Sequence, residues 1–496
     1  MTGLLLAVAL TLGVPFRDGA VLQRGVQVPV WGRADVGTAI SVSFAGQSVS
    51  CKAGADGKWR VSLAPLAADA EGRQLRVVAQ ASDGSAVTNL VKDVLVGEVW
   101  LAAGQSNMQF SIWNVHMLFR DYEQGALMTE ITRMPAVRFF RPQNVWSVTP
   151  NEKDGNGGAS NTRWFRLEPA TFRDKGLRRQ FSSLAFYFAR ELHVALGVPV
   201  GIIETSWGGT PIDAWTPRSG YDDCDPSLRP IADYPVRADW KKERDALGAI
   251  ERIHHQPTVV WNGMVDFLKP YAVRGMLWYQ GCNNEKEPET YCAKMKALYK
   301  GWTTEFEHPD LPFYFVQLTP FVTSRLKMAA AQQKFADEVP AAAIAVASDM
   351  GDFENIHPVR KEPIARRLLL HALKRDYGFD IAEDDSPVFS KAETRGDELH
   401  VTFAHAKSIY ASGQKFSERP PFEVCGTNGV WKTAVPVNLD GGKIVPLHDL
   451  TGNTLILKAE GVLAPNKVRY MYQPRTRGCV YNEMSLPLGP FEGAVR

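Results

Sequence analysis

From Leu10 to Asn89, apolar and polar residues alternate in short runs divided by glycine turns, as in Ala39-Ile40-Ser41-Val42-Ser43-Phe44 and Trp59-Arg60-Val61-Ser62-Leu63. A period of two buries every second side chain, so residues 1–90 read as an N-terminal β-sandwich-like region. The pattern then changes. Apolar runs such as 94–103 and 341–347 alternate with helix-period stretches such as 184–196 and the basic stretch 361–373. Residues 91–377 therefore read as an α/β domain, a parallel sheet with helices on both faces. Residues 378–496 return to short strands and turns, for example 399–403 and 454–457, and form a C-terminal β-rich region. Two polar stretches, 150–161 and 219–255, read as insertions in the α/β domain. They either roof a site or lie as inert surface. Leu10, Leu12, Val14 and Phe16 fit a first strand. The apolar stretch 4–14 also has the character of a signal-peptide remnant, but it lacks a basic n-region and an A-x-A cleavage site.

Composition narrows the classes. A chain of 496 residues exceeds one compact core and implies two to four domains. Hydrophobic residues make up 45%, with no run long enough to span a bilayer. The net charge of +2 gives no case for nucleic acid or an anionic membrane as main partner. The six cysteines are scattered without a C-x-x-C pair, which speaks against a metal site and permits disulfides without requiring them.

Candidate chemistry sits where strands run into glycine turns. Gly104-Gln105-Ser106-Asn107-Met108 follows the run 94–103 and places a hydroxyl at the edge of the sheet where α/β folds bind ligands. A serine hydroxyl needs a neutral histidine to take its proton. His357 is the candidate, in a loop between strand and helix, with Glu354, Asp352 and Asp349 as acids able to fix its tautomer. The alternative is a plain loop whose acids cap the next helix. Asn284, after the strand-like stretch 275–279, can offer an amide to an oxyanion. Gly208 and Gly209 can offer unobstructed backbone N–H groups, although turn chemistry explains them equally. Trp207, Trp215 and Trp278 lie in or beside these turns, as core residues or as platforms for sugar rings.

Four of these segments, in order, carry a family resemblance. Gly104-Gln105-Ser106-Asn107-Met108, Trp207-Gly208-Gly209-Thr210-Pro211, Trp278-Tyr279-Gln280-Gly281 and Ile356-His357-Pro358 resemble the sialate O-acetylesterase-type carbohydrate esterases of the SGNH hydrolase superfamily. Val28-Pro29-Val30-Trp31-Gly32 and Leu486-Pro487-Leu488-Gly489-Pro490-Phe491 extend the likeness towards both ends. The resemblance implies removal of acetyl groups from sugar hydroxyls by a serine acyl-enzyme route, with no metal or organic cofactor. It implies Ser106 and His357 as catalytic residues, with Glu354 or Asp352 as the acid, or a Ser–His dyad. It implies an oxyanion hole from Ser106, Gly208, Gly209 and Asn284, and a substrate pocket including Gln105, Trp207, Gln280 and Cys282. The expected partner is an O-acetylated carbohydrate, sialate or plant polysaccharide, met in the periplasm or outside the cell. Cys282 departs from the family, many members of which carry glutamate there. That departure favours one alternative, a catalytically decayed glycan-binding protein; a broader serine esterase or thioesterase is the other.

Overall fold

Side-chain alternation builds the amino-terminal strands as the pattern requires. In Lys58–Leu63 exposed and buried residues alternate without a break. This strand pairs antiparallel with Val28–Ala34, which pairs in turn with Leu10–Leu12. Ala39–Phe44 lies between Gln47–Lys52 and Asp69–Gln80 in a second antiparallel set. The computed structural model describes residues 9–112, 114, 134–150, 162–168, 181–233, 253–412, 421–440, 442–445 and 452–495. The chain divides into two units, Met1–Leu277 with Ala297–Pro312 and Trp278–Lys296 with Phe313–Arg496.

In the first unit one strand does two jobs. Ala86–Gly104 runs for 19 residues, alternating at first and wholly buried from Val94 onward. Its first part pairs antiparallel with Asp69–Gln80. Its last part pairs in parallel with Val200–Ser206, with Ser206 opposite Gly104. The change of pattern near residue 90 thus falls inside a single strand. Glu98, an acid within the buried stretch, is satisfied by Gln23, Arg24 and Arg274. Val137–Phe140 continues the parallel pairing from Val200–Ser206, and Trp164–Arg166 closes that side as an antiparallel edge. The sheet is therefore mixed at its edge. Helix Ser183–Leu196 starts on the Ser182 hydroxyl, which accepts the Ala185 N–H at 3.1 Å, and stops at Gly197, φ +65°. It buries Leu184, Phe188 and Leu192, with Phe188 edge-on to Trp100 at 5.0 Å.

The second unit carries the parallel pair Phe313–Val316 and Ala342–Ala345, both entirely buried, with helices Leu326–Glu338 and Glu362–Arg375. Its carboxyl-terminal part holds a seven-stranded and a four-stranded sheet. Leu399, Val401, Phe422, Val424 and Val468 fill the core there. The buried strand Gly275–Tyr279 starts in the first unit and ends in the second.

Of the expected insertions, residues 151–161 and 234–252 lie outside the described residues. The described part of the second one makes short helical turns such as Pro226–Leu228. None of the six cysteines forms a disulfide. Among the described residues no helix is long and apolar enough to cross a membrane.

Candidate active site

The Ser106 turn is set by a glycine conformation. Gly104 ends its strand at φ +140°, which side-chain-bearing residues rarely adopt. The chain then makes a one-turn helix, Ser106–Gln109, opened by the Gln105 carbonyl, which accepts the Met108 and Gln109 N–H groups at 2.9 and 3.0 Å. Ser106 is partly exposed, while Gln105 and Asn107 are buried.

The neighbouring strand brings the Trp207-Gly208-Gly209 turn onto this one. Trp207 N–H donates to the Gly104 carbonyl at 3.0 Å. A Cβ added to Gly208 would stand 3.4 Å from Ser106 Cβ. So Ser106, Gly208 and Trp207 do share one place within the first unit. One expectation needs correction. The Gly208 N–H is not unobstructed, because it donates to Gln109 Oε1 at 2.8 Å.

Trp207 is partly exposed and stacks on His254, with ring centroids 4.7 Å apart and planes at 4°. Trp215 and Trp278 are 0% and 1% exposed, which removes both as sugar platforms. Beneath the turn lies Glu204, fully buried, accepting the Ser182 N–H and the Ser206 hydroxyl at 2.8 Å each. Burial raises its pKa, against the opposing pull of Arg141.

In the second unit Gly281, at φ +141°, repeats the turn geometry of Gly104 and leads into Cys282–Asn284. Asn284 is buried, and its orientation is fixed: Oδ1 accepts Gln280 Nε2 at 2.8 Å and Nδ2 donates to Glu287 at 3.2 Å. Gln280 was expected in the substrate pocket. It is fully buried, with its carboxamide held between Asn284 and the Tyr291 hydroxyl. Cys282 is partly exposed, with Sγ 3.9 Å from Arg325 Nη2.

His357 is partly buried, and its backbone N–H donates to Asn355 Oδ1 at 2.9 Å. The acids around it are engaged elsewhere. Glu354 pairs with Arg475 at 2.8 Å, and its side chain is 73% exposed. Asp352 accepts the Glu354 N–H at 3.0 Å. Asp349 makes a two-bond pair with Arg367 at 2.8 and 2.7 Å. None of the three carboxylates bonds His357, which corrects the placement of Glu354 and Asp352 as the orienting acid.

The electrostatics of His357 involve its burial and a cation. Burial lowers its pKa below the ordinary 6.5, and the charge of Lys361 lowers it further. The imidazole is therefore neutral near pH 7, the form that accepts a proton. Lys361 is 1% exposed, with Nζ 5.0 Å from the Tyr279 ring centre. Burial pushes its pKa down to about 7, while Cys282 pulls it up. The turns bearing His357 and Cys282 thus share one electrostatic neighbourhood through Lys361.

Gln109, Glu204 and Lys361 are the residues that sequence reasoning passed over. Two gave a signal: Glu204 is an acid inside a wholly buried strand, and Lys361 lies one turn past His357.

Comparison with known proteins gives the family of the chain. The family described as carbohydrate esterase, sialic acid-specific acetylesterase, matches residues 96–362. Sialate O-acetylesterase of Rattus norvegicus is 25% identical, over 94% of this chain and 91% of the relative. The Homo sapiens sialate O-acetylesterase is 26% identical over 78% of this chain and 75% of its own. The crystal structure of a carbohydrate acetylesterase from Xanthomonas citri superposes with a TM-score of 0.76 at 27% identity, covering 98% of this chain and 100% of that one.

Proposed function

The chain belongs to the carbohydrate esterase family of sialic acid-specific acetylesterases, and on that premise we propose how its own residues remove acetyl groups from sugar hydroxyls. Ser106 Oγ attacks the acetyl carbonyl while His357 takes its proton. The carbonyl oxygen becomes an oxyanion, received by the N–H groups of Ser106 and Gly209 and by the Asn284 amide. His357 returns the proton to the departing sugar oxygen as the ester C–O bond breaks, leaving acetyl-Ser106. Water, deprotonated by His357, then attacks the acyl group and releases acetate. None of Glu354, Asp352 and Asp349 serves as the orienting acid in this scheme, because each is committed elsewhere. Lys361 favours the neutral, proton-accepting imidazole.

The observation that carries this reading is the seat of Ser106. It is partly exposed at the carboxyl end of a buried strand, and a Cβ added to Gly208 would stand 3.4 Å from its own Cβ. A fluorophosphonate probe for nucleophilic serines tests it. Peptide mass spectrometry should find the label on Ser106, and His357→Ala should suppress labelling. Label on another serine overturns the assignment. Work in the periplasm or outside the cell belongs to the same reading, and fractionation of the producing cells checks it.

A further inference from the structure

The first unit has a second recess, and none of Ser106, Gln109 and Gly208 lines it. It is a cavity of about 510 Å³, walled by the strands Leu10–Leu12, Val28–Ala34 and Lys58–Leu63, by the turn from Asp266 to Pro270, and by residues 304–307. That volume is in the range of small-ligand pockets. The esterase chemistry makes no use of it.

Trp31 is part of its wall. The indole is partly exposed and is held edge-on by Phe16 at 4.9 Å and by Tyr271 at 6.3 Å. Side chains are kept off the indoles. A Cβ on Gly13 would fall 2.6 Å from the Trp31 ring, and one on Gly32 would fall 2.7 Å from Trp59. Around the indole stand charges already matched to one another. Arg60 donates twice to Glu307, at 2.6 and 2.7 Å. Lys269 Nζ lies 2.7 Å from both Asp266 and Glu305.

An exposed pair such as Arg60–Glu307 stabilises a fold by only about 0–1 kcal/mol, so a ligand can share its groups at little cost to the arrangement. Its chemistry fits a sugar. Carboxylates accept hydroxyl protons, guanidinium and ammonium groups donate to hydroxyl oxygens, and an indole covers the C–H surface of a pyranose. Because Arg60 and Lys269 already face carboxylates, these positions do not select a charged ligand.

We infer that this cavity is a second carbohydrate-binding site, which takes an uncharged pyranose unit of a glycan chain against Trp31. It rests on the proposed function in one respect, that the substrate is a glycan. Two holding points on one chain then raise the local concentration of acetyl esters at Ser106.

The test is calorimetric titration of the whole protein with xylohexaose, which carries no ester and is not turned over. Sialyllactose serves as the acidic arm, because Arg33 and Lys58 also line the wall. Xylohexaose should bind, and Trp31→Ala should weaken it by roughly tenfold or more. Trp31 also packs on Phe16 and Tyr271, so Thr304→Trp is the second variant. It fills the cavity from an exposed wall position and should weaken binding to a similar degree at an unchanged melting temperature. Equal binding by all three proteins, or binding by none, overturns the inference. Preference for sialyllactose overturns the uncharged class. Hydrolysis of nitrophenyl acetate separates the two readings. Thr304→Trp should leave it at the wild-type rate, whereas a Ser106→Ala variant that retains it defeats the esterase mechanism and leaves the binding result standing.

Discussion

Arg475 Nη1 lies 2.8 Å from Glu354 Oε1, and that carboxylate, three residues before His357, faces solvent. The pair holds Glu354 away from the role of orienting acid in a triad. Removing the orienting acid of a serine triad costs about 10⁴ in kcat. Glu354→Ala and Asp352→Ala should instead each keep kcat/KM within about threefold of wild type, because neither side chain touches the imidazole. A loss of more than about a hundredfold in one of them identifies that residue as the orienter.

Protonation of His357 should limit activity on the acid side only below its ordinary pKa of 6.5, since burial and then the Lys361 charge both oppose the imidazolium. The sign follows directly. A like charge disfavours the protonated ring, so Lys361→Met should move the acid limb of kcat/KM upward. The effect is largest where Lys361 is itself protonated, below its own pKa of about 7. A pH–rate profile checks this, and an unmoved limb excludes the coupling.

A side chain at Gly208 would press on Gln109 and touch Ser106. An added Cβ meets Gln109 Oε1 at 3.2 Å and Ser106 Cβ at 3.4 Å. Gly208→Ala should therefore push Gln109 off the Gly208 N–H and lower kcat/KM by about 10-fold, as small misplacements beside reacting groups do. Nitrophenyl acetate kinetics beside a melting curve would show whether the loss is local. Activity at the wild-type level removes Gly208 from the site.

Glu204 holds the base of the Gly208 turn. Glu204→Ala leaves the Ser182 N–H and the Ser206 hydroxyl without their acceptors in a fully buried place. The expected cost is about 3 kcal/mol, read by urea unfolding. Glu204→Gln, which keeps the acceptor oxygens in part, should cost less.

Local pattern revealed the elements better than their partners. The alternation at residues 39–44 is the strand Ala39–Phe44, and the helix read at 184–196 is Ser183–Leu196. Period two tells which face of a strand is buried, but not how many neighbours the strand passes. Ala86–Gly104 therefore looked like a boundary near residue 90 when it is one strand pairing with two sets of partners. Ser106 was legible because glycine and small polar residues after a buried strand can only turn. The Gly208 N–H was misjudged because its acceptor, Gln109, is 99 residues away. Glu354 was misjudged because a three-residue spacing does not say which way a loop carboxylate points, and Arg475 draws it outward.

The central claim is that Ser106 forms the acetyl-enzyme and His357 serves it. Acetate release from O-acetylated sialic acid and from O-acetylated xylan, measured for wild type, Ser106→Ala and His357→Ala of equal circular dichroism and melting temperature, tests it most directly. Wild type should release acetate from at least one substrate, and each variant should lose at least about a thousandfold of that rate. Release by Ser106→Ala at the wild-type rate would contradict the account.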